Sequence, residues 1–197
     1  MCSSDLELGF WGDLKRILLT HELVHLFQLD LAHGATGLAN AVLGKSFSPN
    51  AALPPWFIEG LAVLFESGIE CGGRMGSPLF DMFLRAHAAD GRLLAIDEAA
   101  GSVLMLPRGS VPYLYGSYFL AWLERRSGRD RLIAFAEEQA WKINPYSINI
   151  SATRLFGKSF VELFDEWREE LAADLAGQVD AIRAQGEVEG LPLGIAG

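Results

Sequence analysis

The chain has 197 residues, enough for one domain with a sizeable core. Its net charge of −9 excludes a nucleic-acid-binding role, because no basic stripe is available to neutralise phosphates. Half of the residues are hydrophobic, yet no run of about eighteen uncharged apolar residues occurs, which excludes a transmembrane helix. The apolar excess indicates that part of the surface is normally covered by another domain or by a partner.

Hydrophobic residues recur with the helical period along most of the chain, and no internal repeat or strand hairpin is visible. Pro55 opens one helix and Gly68 closes it, Ser77 is an N-cap, and Ser159 begins a capping box with Glu162. The predicted helices cover residues 13–32, 38–43, 55–68, 78–90, 93–101, 111–126, 129–141 and 159–184. The sequence therefore predicts a mainly α fold.

The first long helix carries the stretch HELVH, residues 21–25. Residues four apart lie on one helix face, so His21 and His25 are placed to bind one metal ion together, and Glu22 lies beside it. In this pattern two neutral imidazoles hold zinc, and the carboxylate takes a proton from the water that zinc activates. The alternative is a pair of core histidines with ordinary hydrogen bonds.

A catalytic zinc site needs a third protein ligand. A histidine ten residues after His21 would supply it in one class of zinc enzyme, but that position is Leu31. Glu59, in the apolar stretch WFIEGLAVLFE, is the better candidate, because a buried carboxylate requires a charged partner. The alternative is a carboxylate in the first turn of a helix, where the helix dipole favours it.

HELVH followed by WFIEGLA resembles the gluzincins, zinc peptidases of the thermolysin and aminopeptidase type. The resemblance implies a helical zincin-like catalytic segment in which His21, His25 and Glu59 bind Zn²⁺ and Glu22 is the catalytic base. VPYLYGSYFLAWLERRSG, residues 111–128, is similar to the segment whose tyrosine stabilises the tetrahedral intermediate. That position maps to Tyr113, with Gly116 allowing close helix approach. Tyr115 is a rival, and either tyrosine could instead be a half-buried structural aromatic.

Residues 14–170 are most similar to the gluzincin domain that precedes a TolB-like β-propeller in bacterial envelope or secreted proteins. This resemblance implies a metallopeptidase-like domain over residues 1–186, whose upstream β-strands are absent from this chain. Residues 187–197 would then be a linker to a downstream β-propeller. A periplasmic or secreted location follows from the resemblance alone, since the chain shows no signal peptide.

Other polar and aromatic residues receive weaker assignments. Glu66 lies seven residues after Glu59 on the same helix face and could orient a zinc-bound histidine, although a solvated glutamate is equally compatible. Arg74 could form a structural ion pair or line a substrate cleft, and the sequence favours the ion pair. The sequence also predicts a surface position for His87 and a core position for Trp141.

The predicted function is zinc-dependent hydrolysis of a peptide or protein substrate, with Glu22 as base and Tyr113 or Tyr115 stabilising the oxyanion. One alternative is an inactive peptidase-like domain that serves as a binding scaffold beside the propeller. Another is zinc chemistry on a substrate other than a peptide, because the fold alone does not fix the reaction.

Overall fold

The computed structural model describes residues 14–68, 73–101, 103–104, 106–142 and 147–186. Residues 1–13 and the predicted linker 187–197 lie outside this part of the chain. Its α-helices are α1 Leu14–Asp30, α2 Gly34–Leu43, α3 Pro55–Ser67, α4 Pro78–Ala89, α5 Ile96–Ala100, α6 Val111–Ser127, α7 Arg129–Gln139, α8 Ile148–Phe156 and α9 Phe160–Ala184. Short 3-10 turns cover Pro49–Ala52, Arg74–Gly76 and Arg108–Ser110. The described residues contain no strand, so the mainly α prediction is confirmed.

The helix boundaries follow local signals in the sequence. Ser77 accepts a hydrogen bond from the Leu79 backbone N–H, and Ser159 forms the expected capping box with Glu162. One helix, α8, was not predicted. Its sequence INISATRLF is rich in residues with modest helix propensity, and its stability comes from packing against α7 and α9.

Helices α3 and α6 form the centre of the molecule. They cross where two glycines meet: a Cβ on Gly60 would lie 2.4 Å from the backbone carbon of Gly116, and a Cβ on Gly116 would lie 2.0 Å from the Trp56 carbonyl oxygen. Side chains larger than hydrogen would force these backbones apart. The predicted role of Gly116, close approach of two helices, is therefore confirmed.

An aromatic core surrounds the crossing. Trp56 lies edge-on to Phe119 and to Phe160, with ring centroids 5.5 and 5.1 Å apart, and Phe164 and Trp167 of α9 extend the cluster. Edge-to-face packing of this kind adds to the stabilisation that apolar burial already provides. The helices that hold the functional side chains are thus built on a rigid scaffold.

Helix α1 lies on α3 and has an apolar outer face. Its inner face buries Ile17, His21 and Gln28. Its outer face exposes Leu19, Leu23, Leu26 and Phe27, and α2 adds exposed apolar residues, namely Leu38, Val42 and Leu43. The composition predicted an apolar surface of this kind.

None of the helices that the structure describes combines the length and the apolarity needed to cross a bilayer, as the sequence predicted.

Candidate metal centre

Two helices contribute the side chains of the centre. His21 and His25 project from the inner face of α1, and Glu59 projects from α3, one residue before the glycine crossing. Glu59 stands one turn into α3, where Pro55 fixes the first turn. Because α1 packs on α3, the structure brings these three side chains together.

The three ligand atoms form a small triangle. The two Nε2 atoms lie 3.0 Å apart, and Glu59 Oε2 lies 3.5 Å from His21 Nε2 and 3.2 Å from His25 Nε2. Zinc binds nitrogen and carboxylate oxygen at about 2.0–2.2 Å, so neighbouring ligands of a tetrahedral site are about 3.3–3.5 Å apart. The longest side of the triangle, 3.5 Å, falls in this range, and the other two sides, 3.2 and 3.0 Å, are slightly shorter. The donor set suits a divalent ion such as zinc.

Hydrogen bonding points to the same conclusion. Glu59 Oε2 is buried and has no hydrogen-bond partner, an arrangement that is costly for a carboxylate oxygen. On the other side of the centre, His21 Nδ1 donates to Glu66 Oε2 at 2.9 Å. In a neutral His21 this bond places the proton on Nδ1 and leaves the Nε2 lone pair free for a metal. The residues present therefore fit a bound cation.

Neighbouring charged groups shift the pKa values of His21 and Glu59. Burial alone would lower the pKa of His21, but its contact with the Glu59 carboxylate and its hydrogen bond to Glu66 outweigh burial and raise that pKa to about 9. Burial would raise the pKa of Glu59, yet the contact with His21, the charge of His25 and a hydrogen bond from Tyr113 lower it. The centre holds Glu59 as a carboxylate and attracts positive charge.

The centre is open to molecules from solution. The side chain of His21 is 5% exposed, whereas those of His25 and Glu59 keep 17% and 25% of their surface. Glu22, the neighbour of His21 on α1, is exposed. Molecules from solution can therefore reach His25 and Glu59.

The two candidate tyrosines of α6 occupy different environments. The ring of Tyr113 lies 6.0 Å from that of His21, nearly parallel to it. Burial, together with the charge of Glu59 and their shared hydrogen bond, raises the pKa of Tyr113, and the charge of Glu22 adds to this rise. The hydroxyl of Tyr113 is thus within electrostatic reach of both carboxylates.

Tyr115 lies away from the cluster. It is 0% exposed, and its hydroxyl is paired with His87 Nδ1 at 2.6 Å and accepts a hydrogen bond from the Leu94 N–H at 3.3 Å. His87 Nε2 in turn donates to the Leu106 carbonyl at 2.7 Å. The structure therefore brings Tyr113, and not Tyr115, to the candidate ligands.

Glu66 and Arg74 complete the surroundings of the centre. Glu66 is 0% exposed, and its second oxygen, Oε1, accepts a hydrogen bond from the Arg74 backbone N–H at 3.3 Å. The sequence pointed to Glu66 through its seven-residue spacing from Glu59. For Arg74 it favoured an ion pair, and the structure shows one with Glu66, whose Oε1 lies 3.5 Å from Arg74 Nε. The sequence did not identify this partner, because the 3-10 turn carrying Arg74 has no periodic pattern.

Comparison with known proteins adds one relative. An uncharacterized protein of Treponema pallidum (strain Nichols) is 30% identical to this chain over 139 residues. The matched region covers 71% of this chain but 12% of that protein, so the chain spans a small part of its relative. The sequence matches no protein-family model, and it matches no solved structure.

Proposed function

We propose that this chain is the helical catalytic segment of a gluzincin-type zinc peptidase that hydrolyses peptide bonds. One observation carries the proposal: the ligand atoms of His21, His25 and Glu59 converge from two helices at separations of 3.0–3.5 Å. Two neighbouring residues support it: Glu22 adjoins His21 on α1 and is exposed, and the ring of Tyr113 lies 6.0 Å from that of His21.

A zinc ion held by His21, His25 and Glu59 would supply Lewis acidity and lower the pKa of a bound water to about 7. Glu22 accepts a proton from the attacking water and later transfers it to the departing amine. The Tyr113 hydroxyl donates a hydrogen bond to the carbonyl oxygen as negative charge develops there. Glu66 holds the ring of His21 through Nδ1, so the ring presents Nε2 to the metal.

The wider setting is part of the same proposal. The gluzincin resemblance implies a peptide or protein substrate, a β-propeller downstream and a periplasmic or secreted location. An inactive scaffold would need none of the catalytic groups beside the triangle. The exposure of Glu22, next to a centre that is open to solution, favours the enzyme.

Elemental analysis and a cleavage assay test the proposal. The purified chain is expected to bind one zinc ion per molecule and to cleave a fluorescently labelled unstructured protein until a chelator is added. Glu22→Gln should retain zinc but lose about 100-fold or more of its turnover, because the proton acceptor is missing. His25→Ala should lose both zinc and activity.

A matched control comes from the other acidic residue of α1. Asp30 is exposed and lies five residues beyond His25, more than one helical turn away, so Asp30→Asn should keep zinc and full activity. Undiminished cleavage by Glu22→Gln would contradict the assigned roles. Stoichiometric zinc with no cleavage of any peptide would favour the scaffold.

A further inference from the structure

Arg74 occupies a fixed position beside the metal centre. It begins the 3-10 turn Arg74–Gly76, which packs on the end of α3. A Cβ on Gly73, whose φ is +83°, would lie 2.5 Å from the Ser67 Cα, and the Met75 N–H donates to the Ser67 hydroxyl at 3.2 Å. These contacts anchor the backbone of the turn and hence the base of the Arg74 side chain.

The Glu66 carboxylate is shared between Arg74 and a candidate zinc ligand. Its Oε1 accepts the Arg74 backbone N–H at 3.3 Å and lies 3.5 Å from Arg74 Nε, while Oε2 accepts from His21 Nδ1 at 2.9 Å. A fully buried carboxylate needs its charge compensated and its orientation fixed. Arg74 contributes both, because it binds Oε1 of Glu66 and leaves Oε2 to accept the hydrogen bond from His21.

The same guanidinium also contacts Tyr113. Its central carbon lies 5.0 Å from the centroid of the tyrosine ring, within the range of a cation–π interaction. The tyrosine ring lies beside that of His21, with centroids 6.0 Å apart. Arg74 therefore contacts two of the residues that lie against the ring of His21, namely Glu66 and Tyr113.

We propose that Arg74 is a positioning residue of the metal centre, acting on zinc binding through Glu66 and on turnover through Tyr113. This inference rests on the proposed zinc peptidase function. Charge balance supports it: the carboxylates of Glu22, Glu59 and Glu66 exceed the charge of one divalent cation by one unit, and Arg74 supplies the missing positive charge.

Two substitutions separate the roles of charge and shape. Arg74→Gln removes the cation and should weaken zinc binding by about 10-fold, at the low end for residues that orient a ligand. Arg74→Lys keeps a positive charge near Glu66 but loses the planar group over Tyr113, so its zinc affinity should stay within about 3-fold of wild type while turnover falls by about 10-fold.

Zinc affinity is measured by competition with a chromophoric chelator, and the visible spectrum of the cobalt-loaded protein reports ligand geometry independently of activity. The spectrum should change in Arg74→Gln. Arg126 gives a matched control, since it also pairs with a glutamate, Glu166 at 2.8 Å, and lies 5.0 Å from the Trp122 ring. Arg126→Gln should leave zinc affinity, the cobalt spectrum and turnover unchanged.

A double-mutant cycle tests the route through Glu66. If Arg74 acts on zinc through this carboxylate, Glu66→Gln and the double variant Glu66→Gln/Arg74→Gln should bind zinc equally, because neighbouring residues in one network are not additive. Additive losses would overturn that route.

Wild-type zinc affinity and cobalt spectrum in Arg74→Gln, with wild-type turnover in Arg74→Lys, would overturn the inference. If Arg74→Gln fails to fold, Arg74→Lys decides through its turnover. These results differ from failure of the proposed function. A wild-type chain that binds zinc but cleaves nothing refutes the peptidase, and the affinity and spectral measurements then decide the role of Arg74 on their own.

Discussion

At the scale of single residues, two tyrosines on one helix lie in different surroundings. Tyr113 and Tyr115 are two positions apart on α6, so they project about 200° apart around the helix axis. One ring therefore enters the core and pairs with His87, and the other meets His21 at the open side of α3. Replacement by phenylalanine should therefore lower turnover at Tyr113 and lower folding stability at Tyr115.

Tyr113→Phe removes the hydroxyl at the metal centre and should lower turnover by about 10²–10³-fold while the melting temperature stays within a few degrees. Tyr115→Phe leaves a buried His87 nitrogen and the Leu94 N–H without a partner, which costs about 1–3 kcal/mol of folding stability. Its turnover below the melting transition should remain near wild type. Paired thermal unfolding and cleavage rates measure both effects.

The reverse pattern, with catalysis lost in Tyr115→Phe alone, would contradict this assignment. The sequence left the two tyrosines undecided because both closely precede Gly116. Only the packing of α6 against α3 distinguishes them. The residues next to the two tyrosines in the chain do not determine that packing.

For other residues too, local sequence predicted some positions correctly and failed where contacts with distant residues decide the position. Glu59 was recognisable because an acid in an apolar helix needs a partner. The surface position predicted for His87 is wrong, since the residue is buried against Tyr115 and Leu106, 28 and 19 positions away. The core position predicted for Trp141 is also wrong, because its ring lies over His33 and Gly34 and stays 63% exposed.

At the scale of elements, the crossing of α3 and α6 sets the geometry of the centre. Gly60 adjoins Glu59, and Gly116 is one turn from Tyr113, so the spacing of the two helices sets the distance between these functional side chains. The sequence pattern predicted both helices, and the family resemblance indicated that Gly116 allows close helix approach. It missed α8, whose stability depends on tertiary contacts more than on propensity.

Gly60→Ala should destabilise the protein, because the new methyl group would lie 2.4–2.8 Å from the backbone of Gly116. Overpacking of this kind costs about 1–3 kcal/mol, and each kcal/mol lowers the melting temperature by about 2–4 °C in a domain of this size. Turnover should fall as well, since α3 must move away from α6. Thermal unfolding and cleavage rates test this.

Gly177→Ala is the matched control for that substitution. Gly177 lies within α9, and a Cβ there meets nothing within 4 Å. Alanine should therefore stabilise the helix by about 0.5–1 kcal/mol without any effect on turnover. A Gly60→Ala protein as stable as wild type would refute the tight crossing.

At the scale of the whole molecule, α1 is the least anchored of the helices that build the centre. It buries Ile17, His21 and Gln28, of which two are polar, and the side-chain amide of Gln28 has no hydrogen-bond partner. Its outer leucines remain exposed. By contrast, α3 and α6 bury most of their length in the aromatic core. Stability is therefore unevenly distributed, and a metal that links α1 to α3 strengthens the weaker part.

Removal of zinc should accordingly loosen α1 and leave α6 intact. A ligand present at about 100 times its dissociation constant stabilises the bound state by about 2.7 kcal/mol, so chelation should speed amide exchange in α1 by about 100-fold. Amides of α6 should exchange at unchanged rates. Glu59→Ala, which lacks a ligand, should show fast exchange in α1 with or without chelator. Equal acceleration in both helices would mean that the metal supports the whole fold, because α1 would then not open independently of the core.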